Sequence, residues 1–449
     1  MTAEPTVSNA NERTLLVTLT GRDRPGVTSR LFGELAGFDA VVLDVEQIVL
    51  RGRLILGVVV ALASAEAADE LALRDALATM ARELGLDFEV AVGHDDAAAP
   101  APGPLQVTVL GNPLRPFGLA RVAGALAGCG ANIDRIERLA RYPVTCVELE
   151  VSGAAPDLLR ARLTAEAADA GVDVAVQQSG LYRRAKRLVV MDVDSTLVQG
   201  EVIEMLAERA GCGAQVARIT EAAMRGELDF ERSLRERVGL LAGLPESAVA
   251  AVRDSLTLTP GARTLIRTLK RLGYLVAIVS GGFTQVTDAL VADLGLDFAA
   301  ANTLEVVDGR LTGRLLGEVV DRPGKAAALE RFAAAAGVPL AQTIAIGDGA
   351  NDLDMLGRAG LGVAFNAKPA VRKAADAAVN VPYLDAVLYL LGISRDEIEA
   401  ADAAGDPLPD AGVVGRSAAE QGGPHLRADD ARPLDRQVVV ELEPGGGRG

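Results

Sequence analysis

The run Leu188-Val189-Val190-Met191 is apolar throughout and stops at Asp192-Val193-Asp194-Ser195-Thr196. Four apolar residues without alternation describe a strand buried on both faces, as in a sheet covered by helices on each side. At the end of such a strand the two aspartates stand at i and i+2. Both can point into one crevice at the carboxyl edge of the sheet, where open α/β folds bind ligands. Neighbouring carboxylates repel, so ionising both requires a cation or a shared proton. Phosphomonoester chemistry can use both remedies. A hard cation such as Mg²⁺ takes carboxylate and phosphate oxygens, while an aspartate attacks phosphorus and its neighbour shuttles the proton.

Three more segments follow in order. Tyr274-Leu275-Val276-Ala277-Ile278-Val279 reads as a second strand and ends in Ser280-Gly281-Gly282. A hydroxyl and two side-chain-free residues there let donors approach an anion closely. Asp321-Arg322-Pro323-Gly324-Lys325 opens a helix whose lysine can neutralise phosphate and aspartates. Thr343-Ile344-Ala345-Ile346 is a third strand, leading into Gly347-Asp348-Gly349-Ala350-Asn351-Asp352. Asp348 is placed to complete a metal's oxygen ligands, and Asp352 to orient that shell.

From Arg187 to about Val381, short Val/Ile/Leu strands alternate with longer helical patterns, which argues for a doubly wound α/β parallel sheet. The four ordered motifs resemble those of the haloacid dehalogenase (HAD) superfamily. That resemblance implies Asp192 as nucleophile and Asp194 as general acid/base. It also implies Mg²⁺ held by the side chains of Asp192 and Asp348 and the backbone carbonyl of Asp194.

The insert between the first two motifs, residues 200–256, carries helical patterns that fit a small cap over the crevice. Here the chain resembles phosphoserine phosphatases, with Glu201, Met224, Phe230 and Arg237 at that family's spacing. The resemblance implies Glu201 for a substrate ammonium and Arg237 for its carboxylate. Met224 and Phe230 would exclude water, and Asn351 would join Ser280, Gly281, Gly282 and Lys325 around the substrate. The implied activity is Mg²⁺-dependent hydrolysis of O-phosphoserine, the last step of serine biosynthesis. Two alternatives stand beside it: another small phosphomonoester, or an amino-acid-sensing protein with a vestigial phosphatase domain.

The N-terminal third holds a diverged duplication. Thr14-Leu15-Leu16-Val17-Thr18-Leu19-Thr20 leads into Gly21-Arg22-Asp23-Arg24-Pro25-Gly26 and a helical pattern. Leu105-Gln106-Val107-Thr108-Val109-Leu110 leads into Gly111-Asn112-Pro113-Leu114-Arg115-Pro116 and another, and Asp44 aligns with Asp134. Two βαββαβ ferredoxin-like units fit this alternation. They resemble ACT domains, which implies an amino-acid effector such as serine, a regulatory site around Gly21 and Asp23, and a homodimer. In the second copy Asn112-Pro113 stands where the first has Arg22-Asp23.

The expected organisation is therefore an ACT-like unit at 13–96, a second at 104–180, the phosphatase domain at 185–395 and a disordered tail at 396–449. The Ala/Pro-rich stretch 97–104 separates the two copies, and Val438 to Leu442 is a possible short strand within the tail.

Composition narrows the remaining classes. A formal net charge of −16, from 61 acidic against 45 basic residues, argues against a nucleic-acid partner. With two histidines, His94 and His425, histidine-based phosphatase chemistry is disfavoured, and three scattered cysteines suggest neither a disulfide framework nor a zinc site. Cys212 and Arg218 share the Cys-x5-Arg spacing of tyrosine phosphatases, but no glycine-rich phosphate loop accompanies them. The longest apolar run, Leu54 to Ala63, is too short for a bilayer and reads as a buried strand. The polar N-terminus is unlike a secretory signal. These features predict a soluble, cytoplasmic protein with no membrane partner.

Overall fold

The computed structural model describes residues 13–38, 40–62, 67–94, 105–224 and 227–405, with only the backbone at 13, 67, 68, 94, 182 and 224. The chain divides into two compact units, Met1–Ala101 and Pro102–Gly449.

In the first unit, strands β1 (Arg13–Arg22), β2 (Ala40–Leu50), β3 (Arg53–Leu62) and β4 (Asp87–His94) form an antiparallel sheet in the order β2-β3-β1-β4. Period-2 alternation sets its two faces. Leu15, Val17 and Leu19 of β1 and Leu54, Leu56, Val58 and Val60 of β3 are buried, while Leu16 and Ile55 are exposed. The buried face packs against helices Val27–Ala36 and Ala67–Leu84 through Leu31, Leu35, Leu73, Leu77 and Met80. The Leu54 run is thus a strand buried on one face only.

In the second unit, β5 (Leu105–Gly111), β6 (Asn132–Ala140), β7 (Thr145–Ser152) and β8 (Asp173–Gln178) repeat that pattern in the order β8-β5-β7-β6. Helices Pro116–Gly128 and Pro156–Ala170 cover one face, each opening with a proline whose missing N–H costs nothing in a first turn.

The remaining strands are β9 (Leu188–Asp192), β10 (Leu275–Phe283), β11 (Phe298–Val307), β12 (Arg310–Leu316), β13 (Thr343–Gly347), β14 (Gly362–Phe365) and β15 (Ala377–Val379). Strands β11-β10-β9-β13-β14-β15 are parallel, and β12 turns back antiparallel on β11. β15 meets β8 antiparallel at Ala377 and Ala175, so the two sheets of this unit fuse into one of 11 strands. The boundary expected near 180–185 therefore crosses a continuous sheet, in which each edge strand covers the other's unpaired edge.

β9 explains its own sequence. Leu188 and Val190 enter the core on one face, Val189 and Met191 the core on the other. Four helices follow it, Val202–Arg209, Gly213–Met224, Phe230–Gly239 and Glu246–Ser255, and build the expected cap.

The tail expectation requires a correction. Arg395–Ala404 is a helix opened by a Ser394/Glu397 capping box, which the Ala- and Asp-rich composition concealed. The linker 97–104 and the tail beyond Gly405, including the 438–442 run, lie outside the described residues. Among the described residues no helix is long and apolar enough to cross a membrane.

Candidate active site

The ends of β9, β10 and β13 lie side by side, because β9 pairs with both neighbours in parallel register. Asp192 ends β9 and is buried. Its Oδ1 accepts from the Val193 N–H at 2.7 Å and from Lys325 Nζ, also at 2.7 Å. Both contacts fall on the same oxygen, Oδ1.

Lys325 is 0% exposed. Asp321 caps its helix by accepting from the Gly324 N–H at 2.8 Å, which sets the start of the turn that carries the lysine. The ammonium bridges Asp192 and Asp352, each at 2.7 Å. Burial alone would depress its pKa, but the two carboxylates hold it above the ordinary lysine value. An ordinary exposed lysine is thereby excluded.

Asp194 has hydrogen-bond partners of its own. Its Oδ1 accepts from the Val202 N–H at 2.8 Å and its Oδ2 from the Ser280 hydroxyl at 3.0 Å. Ser280 in turn accepts from the Gly282 N–H at 2.7 Å. A Cβ at Gly282 would stand 2.9 Å from Ser280 Oγ and 3.0 Å from Asp194 Oδ2, so glycine is required by this close approach. The two aspartates, two residues apart, thus have separate partners. Burial raises both carboxyls above the ordinary range. For Asp192 the Asp352 charge adds to this against Lys325; for Asp194 the hydrogen bonds from Val202 and Ser280 oppose it.

Oxygen atoms of Asp192, Asp348 and Asp352 lie within 4.8 Å of one another. Asp352 is already committed to Lys325 and to the Gly349 N–H at 2.9 Å, so it orients the cluster. Asp348 accepts from the Thr196 hydroxyl at 3.2 Å, and burial followed by the Asp352 charge raises it to about 6. These crowded carboxylates form an oxygen-only donor set suited to a hard divalent cation, whose charge would relieve their repulsion.

Glu201 stands at the N-cap position of the first cap helix without a side-chain capping bond, and its carboxylate accepts from Ser195 Oγ at 3.0 Å. Burial and then the Asp194 charge raise it to about 7. Arg237 donates to Ser233 O at 3.3 Å and to Thr220 Oγ1 at 3.5 Å. Burial lowers its pKa, and the nearby charges of Glu201, Glu204 and Asp194 oppose that. Phe230 reaches across the crevice, its Cζ 3.1 Å from where a Cβ on Gly281 would stand. Asn351 lies folded over Gly349, with Oδ1 2.1 Å from a Cβ built there. The side chain of Met224 lies outside the described residues.

Sequence reasoning passed over Ser195, Thr196 and Thr259. Ser195 adopts φ 59° and carries the Glu201 contact. Thr259 donates to Thr196 O at 2.6 Å and fixes the turn that holds Thr196 to Asp348. Thr196 was visible as the last residue of its motif; nothing in the sequence marks Thr259. The Cys212 decoy is a buried residue of the apolar core. In the first unit, a Cβ at Gly21 would meet Leu86 Cδ2 at 2.5 Å, and the Asp23 N–H donates to Gly52 O at 2.8 Å. Gly21 thus has a packing reason of its own.

Residues 189–357 match the haloacid dehalogenase-like hydrolase family, and residues 13–91 and 105–177 each match an ACT domain. The chain is 61% identical over 397 residues to a phosphoserine phosphatase of Streptomyces coelicolor, covering 88% of this chain and 96% of that one. The chain belongs to the phosphoserine phosphatase family. A phosphoserine phosphatase of Mycobacterium tuberculosis is 55% identical over 391 residues, covering 87% of this chain and 95% of its own. The crystal structure of a probable phosphoserine phosphatase from Vibrio cholerae, in unliganded form, superposes with a TM-score of 0.53 at 36% identity, over 68% of this chain and 90% of that one. The chain is a hydrolase with a HAD domain behind two ACT domains.

Proposed function

We propose that the chain hydrolyses O-phosphoserine to serine and phosphate, with Asp192 as nucleophile and Asp194 as general acid/base. The separate wiring of the two aspartates carries this reading. Asp192 is held by a buried ammonium and a backbone N–H, and Asp194 by a hydroxyl and a backbone N–H. Burial raises both carboxyls. On Asp192 the ammonium acts against that rise, toward the ionised form that attack needs, and the charge of a bound cation acts the same way. Asp194, also raised, is able to carry a proton.

Asp192 Oδ2 attacks phosphorus, and the bond to the serine oxygen breaks as Asp194 gives that oxygen its proton. Asp194 then removes a proton from water, whose oxygen attacks the aspartyl-phosphate, releasing phosphate and restoring Asp192. Lys325, Ser280 and the turn at Gly281 and Gly282 hold the phosphoryl oxygens. Asp192, Asp348 and the Asp194 carbonyl would hold Mg²⁺, which when bound supplies positive charge to the phosphoryl oxygens. Glu201 takes the substrate ammonium and Arg237 its carboxylate, while Phe230 keeps water out and Asn351 adds a polar contact.

The 13–91 and 105–177 units are read as the regulatory part, responding to an amino acid such as serine, in a cytoplasmic enzyme that closes serine biosynthesis. A homodimer is supported by β2, an edge strand whose Val41, Val42, Leu43, Val45, Ile48, Val49 and Leu50 are all exposed. The direct test is a panel of phosphate esters assayed with and without Mg²⁺. Release from phosphoserine above all other esters, lost on chelation, is the expected result; equal turnover of simple alkyl phosphates would refute the assigned substrate.

A further inference from the structure

Strand β10 does not keep step with β11. Val279 pairs with Ala300, but the next pairing is Phe283 with Asn302, so Ser280, Gly281 and Gly282 are looped out of the ladder. A bulge of this kind re-aims side chains and leaves backbone groups in search of partners. One of those groups is the Gly281 carbonyl, and Asn302 Nδ2 donates to it at 2.8 Å. The same side chain accepts, through Oδ1, from the Val320 N–H at 2.8 Å. Val320 immediately precedes Asp321, the residue that caps the Lys325 helix. Asn302 is 1% exposed. It was not among the candidate site residues.

We propose that Asn302 is the positioning residue that shapes the phosphate pocket, locking the Ser280–Gly282 bulge to the start of the Lys325 helix. The inference rests on the crevice being a phosphate site, as proposed above. The chemistry asks for a planar amide: one end must donate to a carbonyl while the other accepts from an N–H. A carboxylate would face the Gly281 carbonyl with no donor, and an aliphatic side chain would strand both backbone groups in a buried place. From Asn302 the order passes through one peptide unit. The Gly281 carbonyl is fixed, the following N–H of Gly282 therefore meets Ser280 Oγ, and the Ser280 hydroxyl reaches Asp194. Gly281 also lies under Phe230, so the surface that the cap closes on is set by the same contact.

The test compares the full chain with Asn302→Asp, which keeps the acceptor and loses the donor, and Asn302→Leu, which loses both. Inorganic phosphate is titrated calorimetrically in the presence of Mg²⁺, and Mg²⁺ alone is titrated separately. Both variants are expected to weaken phosphate binding about tenfold or more, with KM for phosphoserine rising in parallel and Mg²⁺ affinity unchanged. Folded variants that bind phosphate as the unsubstituted chain does, with only a lowered unfolding temperature, would overturn the proposal. If neither variant folds, Asn302→Ser, which fits the same space, is judged by the same two titrations. A wild-type chain that binds phosphate but leaves phosphoserine intact would sink the substrate assignment alone.

Discussion

Glu201 is where the chemistry of single residues is most exposed to test. A carboxyl raised to about 7 is half protonated at neutral pH, yet only its ionised form can hold an ammonium. Comparison with 3-phosphoglycerate, which has the same phosphate and carboxylate but no ammonium, isolates this term. The ratio of KM for phosphoserine to KM for 3-phosphoglycerate is expected to rise as pH falls below about 7. In Glu201→Gln the ratio should be high and independent of pH. The same raised value works against the empty site: the folded chain keeps a proton that the unfolded chain has lost, so stability falls as pH rises from about 4.5 to about 7. Ser195 tests the support behind Glu201. Its φ of 59° favours glycine, so Ser195→Gly removes the hydroxyl without a backbone penalty. It should raise the KM ratio with little change in unfolding temperature; an unchanged ratio would show that the hydroxyl does not position Glu201.

At the level of elements, the proposed function puts recognition on the cap and reaction on the strand ends. Arg237 lies on cap helix Phe230–Gly239 and Asp192 on β9. Arg237→Ala should therefore raise KM for phosphoserine by about tenfold to a hundredfold, as expected for losing a charged hydrogen bond, and leave phosphoethanolamine hydrolysis almost untouched. Equal losses on both substrates would remove the carboxylate assignment. The strand ends were legible in the sequence because burial on both faces forces an unbroken apolar run, and the residue at which such a run stops marks the edge of the sheet. The cap contacts were legible only by resemblance, since Glu201, Phe230 and Arg237 look locally like any amphipathic helix. The Asn302 contact was hidden because a register shift between two strands leaves no mark on either one. The Arg395–Ala404 helix was hidden by a composition that also suits a disordered chain.

At the scale of the whole molecule, both βαββαβ copies were readable from their repeated strand-glycine-helix pattern. That β15 and β8 would join edge to edge was not, because antiparallel contact at a single residue pair needs no particular side chain. The exposed apolar length of β2 is the feature with a consequence for assembly. Ile48→Asp should shift the mass measured by light scattering from dimer to monomer while leaving the phosphatase site intact; an unchanged mass would place any association elsewhere. The central claim is that β9, β10, the Lys325 helix and β13 converge to make Asp192 a phosphoryl acceptor. It is tested most directly by acid-quenching the enzyme during turnover of phosphoserine with Mg²⁺ and mapping the phosphoryl group by mass spectrometry. The account predicts an adduct on the peptide containing Asp192, absent in an inactive Asp192→Asn variant. Steady phosphate release by Asp192→Asn, or an adduct on a different side chain, would contradict it.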